Sequence, residues 1–338
     1  MAKKVVISGY YGSDNFGDET ILKVLVDKLK EEKVDITVLS LNPEKTKELH
    51  KVNAVKSFDL PKVITTILKS DILISGGGSL LQDTTSVKSL FYYLFVISVA
   101  EFFHKKVMIF AQGIGPIKNK LGEMWCKKLL RKASCVTVRD DKSLFLLRGW
   151  GINTERVVDP LFALKLAGST PTETVGIQLR SFKGLSETFL QKLAKSVEQN
   201  FYSKKIQIFS FQDALDKEVC THFEGILKSL NPNMQTEVVY NKTPEQLIEL
   251  MRSLKYMIAM RFHACLVCAK FGIKTLALSY DYKVERLAED LKLPYTNIKP
   301  DVNMDFFINL MRNVDRSQLL TIINSKEFDW SYLENTLK

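Results

Sequence analysis

Tyr256-Met257-Ile258-Ala259-Met260-Arg261-Phe262-His263, running into the helical pattern of residues 264–271, decides how this chain is read. The apolar run makes a buried strand, and it stops where a cation and an imidazole stand at a helix start. In open α/β sheets that junction is where ligands bind. The first turn of such a helix offers unpaired N–H groups and a partial positive charge, so the fitting guest is an anion. Residues 275–279 form a further strand, and Tyr280-Asp281-Tyr282-Lys283 after it repeats the device with a lysine. Arg261, His263 and Lys283 at adjacent strand ends describe a phosphate or carboxylate pocket containing an acid–base group.

Outward from this point, strand and helix alternate along the chain, which predicts parallel sheets with helices on both faces. In the first half strands are expected at 4–9, 36–41, 71–75, 107–111, 135–138 and 157–158, with a helix at 18–30, one after Pro43, and others at 87–103, 121–132 and 142–148. The second half restarts with strands at 175–179, 206–209, 237–240, 256–260 and 275–279 and intervening helices, ending in helices near 305–314 and 317–324. Gly168-Ser169-Thr170-Pro171-Thr172 is the expected linker. The expected fold is α/β: two doubly wound Rossmann-like domains, residues 1–167 and 173–316, facing one another across a cleft, with a helical tail at 317–338 packing back on the first domain.

The 338 residues carry a formal charge of +10, which predicts an anionic partner. The lysines are spread along the chain, with no nucleic-acid motif and no basic stripe interleaved with aromatics, so nucleic acid is not expected. Phosphorylated small molecules or an anionic membrane surface fit better. Met1-Ala2-Lys3-Lys4 leads straight into a strand pattern without a secretory signal. The apolar run 90–100, ended by Glu101, is short of the roughly 17–25 residues of a spanning helix. A cytoplasmic location is expected, with peripheral contact at the inner face of the cell membrane as an accompanying reading. Five cysteines suggest no disulfide framework. Cys265 and Cys268 have redox spacing but lie in an apolar helix, and no second ligand pair makes a zinc site, so no metal is expected.

Other unusual residues also follow strands. Gly9, Gly12 and Gly17 match neither the dinucleotide nor the P-loop fingerprint. Asn15 and Asp18 can cap the helix that follows, or Asp18 can meet a substrate hydroxyl. Gly76-Gly77-Gly78 after a buried strand implies close backbone approach, by a ligand or by the neighbouring domain. Ser79, Gln82 and Asp83 beyond it suit sugar hydroxyls, though polar helix starts look the same. Arg139 and Arg180 are unremarkable singly; with Arg261 and Lys283 they make a cluster able to neutralise a trianion, and an arginine fork suits carboxylate or phosphate.

Taken in order, these stretches resemble the polysaccharide pyruvyltransferases, most of all the cell-surface-anchoring type that acts on secondary cell wall polysaccharide. The residues that carry the resemblance are Gly9-Tyr10-Tyr11-Gly12 with Asn15-Phe16-Gly17-Asp18-Glu19, Ser75–Asp83 around the three glycines, Gln112-Gly113-Ile114-Gly115-Pro116, Val138-Arg139-Asp140, Asp159-Pro160, Met260–Ala264 and Tyr280–Val284. Phe262 and Tyr282 depart from the family's usual leucine and proline, and residues 178–182 match its arginine–aromatic segment loosely.

The resemblance implies a GT-B-like fold and phosphoenolpyruvate as co-substrate, with no separate cofactor. It implies a saccharide acceptor, lipid-linked or nucleotide-linked, such as β-linked N-acetylmannosamine ketalised at its 4- and 6-hydroxyls. Donor contacts are then expected from Arg261 and Lys283, helped by Arg139 and Arg180, and acid–base work from His263 and Asp18. The acceptor is expected on Asn15, Gly77, Gly78, Ser79, Gln82 and Asp83. Two other readings stand beside this one: a nucleotide-sugar glycosyltransferase of the same fold, and a non-catalytic saccharide-binding module.

Overall fold

The protein is described by a computed structural model covering residues 2–338. It divides into two compact units, residues 2–164 with 327–338, and residues 165–326.

In the first unit the chain runs β1 (Lys4–Ser8), α1 (Phe16–Glu31), β2 (Asp35–Ser40), α2 (Pro43–His50), β3 (Asn53–Lys56), α3 (Leu60–Leu68) and β4 (Ile72–Ser75). It continues through α4 (Val87–Phe102), β5 (Lys106–Gln112), α5 (Lys120–Leu130), β6 (Cys135–Val138), α6 (Asp141–Gly149) and β7 (Glu155–Arg156). The sheet order is β3-β2-β1-β4-β5-β6-β7, every pair parallel. Successive connections run one way from β1 to β3 and the other way from β4 onward, so the order reverses between β1 and β4. Helices cover both faces, as a parallel sheet of Val, Ile and Leu requires.

The second unit repeats the plan with β8 (Thr174–Gln178), α7 (Glu187–Phe201), β9 (Ile206–Phe209), α8 (Asp213–Leu230), β10 (Thr236–Val239), α9 (Pro244–Arg252) and β11 (Leu254–Ala259). Then come α10 (Phe262–Lys270), β12 (Lys274–Ser279), α11 (Tyr282–Leu291), β13 (Tyr295–Asn297), α12 (Met304–Arg312) and α13 (Arg316–Asn324). Its sheet order, β10-β9-β8-β11-β12-β13, is again parallel and reverses between β8 and β11.

Several elements differ from the sequence expectation. β3 and β13 are short edge strands, half-exposed and without a run of β-branched residues, so they leave little pattern. α3 does have a start signal, Asp59 capping with Pro61 in the first turn. Residues 168–172 are tied down: Arg252 Nε donates to the Gly168 carbonyl at 2.5 Å, and Thr172 N to the Ser253 carbonyl at 2.8 Å. The chain changes unit at Leu164 instead. On its return it does so at Lys326, so α13 stays with the second unit, where Arg316 Nη2 donates to the Phe271 carbonyl at 3.4 Å. The closing helix α14 (Ser331–Leu337) belongs to the first unit: Phe328 and Trp330 pack on Phe110 with ring centres 5.4 and 6.1 Å away, and Glu334 pairs with Lys28 at 2.6 Å.

Candidate functional site

Each unit gathers unusual residues at its own topological switch point, the position where open parallel sheets bind ligands. In the second unit three neighbouring strands, β8, β11 and β12, deliver them. Arg261 N-caps α10 with extended backbone, and its N–H donates to Gln178 Oε1 at the end of β8, 2.8 Å away. His263 follows in the first turn, half-buried, its ring edge-on to Phe262 at 5.1 Å. Asp281 caps α11 by accepting from Lys283 N at 3.0 Å, which sets Lys283 in the first turn of that helix. Arg180, just beyond β8, donates through Nη1 to the Tyr280 hydroxyl at 2.7 Å and lies 5.2 Å from the centre of that ring. The contact spans from the end of β8 to the end of β12, past β11. Phe182 packs on the same tyrosine at 5.3 Å. Arg180 Nε is buried without a protein acceptor.

Arg261, expected to contact the donor, is also engaged within the protein. Its Nε and Nη2 donate to the two carboxylate oxygens of Asp216 in α8, at 3.0 and 2.8 Å, and Asp216 is fully buried. The same carboxylate accepts from the backbone N–H groups of Phe211 and Gln212 at 3.3 and 3.1 Å. Two of the three guanidinium nitrogens are therefore committed inside the protein, and the charge is balanced there.

The first unit's switch point joins the loop after β1 to the glycines after β4. Asn15 caps α1, accepting from Gly17 N and Asp18 N at 3.0 and 3.3 Å. Glu19, buried, accepts from Gly12 N at 2.7 Å and has His50 Nε2 at 3.5 Å from its other oxygen, which pins the loop. Burial pushes the Tyr11 phenol well above its ordinary pKa, and the Asp18 and Glu19 carboxylates add to the rise, so it stays protonated.

The close approach to the three glycines comes from within this unit. A Cβ at Gly76 would sit 2.2 Å from the Tyr11 hydroxyl, one at Gly77 2.5 Å from Ile21, and one at Gly78 2.6 Å from Asp18 Oδ1. Gly78 also has a φ of +83°, which favours glycine. Gly78→Ala should cost about 1–2 kcal/mol in backbone strain and displace Asp18. Thermal melting reads the first effect and turnover the second; an unchanged turnover would mean that the position of Asp18 is immaterial.

The other polar residues here hold the loops. Asp83 Oδ2 accepts from Lys118 N and Asn119 N at 2.8 and 2.6 Å. Burial raises its pKa, but these two bonds outweigh that and leave it lowered. Gln82 is bonded to Thr84 and Thr85 of its own turn. Arg139 is a first-unit residue: its Nη1 pairs with buried Asp159 at 2.5 Å, and Nη2 reaches Ser79 Oγ at 3.4 Å. Arg180, Arg261 and Lys283 belong to the second unit.

The family model for polysaccharide pyruvyl transferases matches residues 15–282. The chain belongs to that family. As a polysaccharide pyruvyl transferase it is a transferase enzyme, and the matched segment runs from Asn15, the cap of α1, through Arg180, Arg261 and His263 to Tyr282, one residue before Lys283. No curated protein is a significant match to the sequence. Among solved structures it is similar to a putative UDP-N-acetylglucosamine 2-epimerase from Listeria monocytogenes, with 10% identity, TM-score 0.68, and 100% of this chain and 95% of that one covered. It is also similar to the UDP-N-acetylglucosamine 2-epimerase of Neisseria meningitidis bound to UDP-N-acetylglucosamine, with 11% identity, TM-score 0.64, and 99% of each chain covered. Anabaena HepE in complex with UDP and glucose gives 11% identity, TM-score 0.63, and coverage of 99% and 98%. At such identities the likeness establishes the fold alone, the α/β type of GT-B glycosyltransferases and epimerases.

Sequence reasoning missed several partners that organise this pyruvyl transferase: Asp216, Gln178 and Tyr280 in one unit, Asp159 and Glu19 in the other. Asp159, Glu19 and Tyr280 lie within the quoted family stretches, and Gln178 opens the loosely matching residues 178–182, which was the available signal. Asp216 sits inside an amphipathic helix and gives none. The helical Cys265 and Cys268 are both fully enclosed; burial pushes the Cys265 thiol up to about 12 and the Cys268 thiol well above its ordinary value, so neither is a nucleophile. Among the described residues no group of His, Cys, Asp and Glu could hold a metal ion.

Proposed function

We propose that this pyruvyl transferase moves the enolpyruvyl group of phosphoenolpyruvate onto a sugar diol, forming a cyclic ketal and releasing inorganic phosphate. The observation that supports the donor half is the placement of Arg180, His263 and Lys283 just beyond the ends of three adjacent parallel strands, with two helix N-termini beside them. Phosphoenolpyruvate carries a carboxylate and a phosphate, and cations with helix N–H groups bind both. Arg180 and Lys283 hold the donor's charges, with Arg261 Nη1 adding to them while Asp216 keeps that side chain in place.

The reaction balances without an added reductant or oxidant. His263 delivers a proton to the methylene carbon, which becomes a methyl group and leaves oxocarbenium character on the adjacent carbon. One sugar hydroxyl adds to that carbon and loses its proton, which replaces the one His263 gave up. The carbon–oxygen bond to phosphate then breaks, the second hydroxyl closes the ring, and its proton leaves with the phosphate. Asp18 orients or deprotonates the acceptor. Gly77, Gly78, Ser79, Gln82 and Asp83, with Asn15, shape the acceptor's surroundings.

The acceptor we favour is β-linked N-acetylmannosamine of a lipid-linked cell wall polysaccharide precursor, ketalised at the 4- and 6-hydroxyls, on the inner side of the cell membrane. Incubation with phosphoenolpyruvate and that saccharide should release phosphate and yield a product whose added mass is one pyruvate ketal. Phosphate release only with a nucleotide sugar and a phosphatase would point to glycosyl transfer. Saccharide binding with no turnover on any donor would leave a binding module.

A further inference from the structure

Helix α5 has two unlike faces. Gly122, Cys126, Leu129 and Leu130 are buried, and Trp125 Nε1 donates to Ser98 Oγ of α4 at 3.0 Å. At 3.6 residues per turn, Lys120, Met124, Lys127, Lys128 and Arg131 share the opposite face, with Lys132 beside them. One acid interrupts it: Glu123, paired with Lys127 at 2.6 Å. Among these cations Leu121 and Met124 are 65% and 62% exposed. Phe102, the last residue of the packed neighbour α4, is 76% exposed, and the charges of Lys132 and Lys128 act on Glu101 next to it.

We propose that this face docks on an anionic lipid surface, with its lysines and Arg131 at the level of the lipid phosphates and Leu121, Met124 and Phe102 entering the interface. Charge alone would suit any polyanion. Large apolar side chains left in water among the cations are what interfacial binding uses in addition, and nucleic acid would leave them unused. Among the described residues no helix is long and apolar enough to cross a membrane, so the contact is peripheral. Nothing in the proposal depends on the reaction chosen above.

The full chain is sedimented with phosphatidylglycerol–phosphatidylcholine vesicles and with phosphatidylcholine alone. It should partition to the anionic vesicles, less so at high salt. Lys128→Gln with Arg131→Gln and Lys132→Gln should weaken partitioning by about tenfold or more, and so should Leu121→Ser with Met124→Ser and Phe102→Ser. Both sets of changes are on exposed positions, and circular dichroism confirms folding. Lys192→Gln with Lys195→Gln, exposed on α7, should leave it unchanged. The proposal is overturned if the wild-type chain ignores anionic vesicles, or if the α7 variant loses as much as the α5 one. It is equally overturned if the apolar variant binds normally, which would mark the face as a site for an acidic polymer.

Discussion

His263→Ala should lower turnover on phosphoenolpyruvate and acceptor by roughly 10²–10⁴-fold, the usual worth of a positioned general acid or base. Alanine is the best helix former, and position 263 lies in the first turn of α10, so the helix should persist. Circular dichroism and melting temperature then serve as the controls. His263→Gln separates two roles: glutamine can donate a hydrogen bond to phosphate but cannot shuttle a proton. If glutamine restores kcat and only KM suffers in the alanine variant, His263 binds phosphate and transfers no proton. Near-normal turnover in both variants would remove it from the reaction.

Asp216→Ala should have the largest effect on stability. It strands the Arg261 guanidinium and two backbone N–H groups in a buried place. Losing one partner of a buried ion pair costs about 3–5 kcal/mol, which corresponds to a fall of roughly 10 °C or more in the melting temperature of the second unit. Asp216→Leu combined with Arg261→Met removes both ions and should recover part of the loss, because neither charge is left desolvated alone. The backbone N–H groups remain unpaired, so recovery is incomplete. A single variant that melts like the wild type would contradict the buried pair.

The contrast between Arg261 and Lys283 shows what could be read in advance. Both positions follow from local pattern: an apolar run, then a polar residue, then helical spacing. Their roles divide only when α8 folds across and supplies Asp216, 45 residues away in sequence, to one of them. Arg139 diverges from Arg180 in the same way, because Asp159 reaches the first and Tyr280 the second. The triple glycine shows the complementary case. Its demand for close approach was legible; that Tyr11, Ile21 and Asp18 make the approach was not.

The sequence by itself determined the α/β alternation and put every unusual residue just after a strand. Both are properties of neighbouring residues, set by periodicity and by what may follow a buried strand. Only the tertiary structure decided that both sheets reverse direction at those strand ends, and which carboxylate or hydroxyl each cation meets there. Ion pairing and switch points arise from segments brought together across the fold, and short-range pattern has no term for partners tens of residues apart.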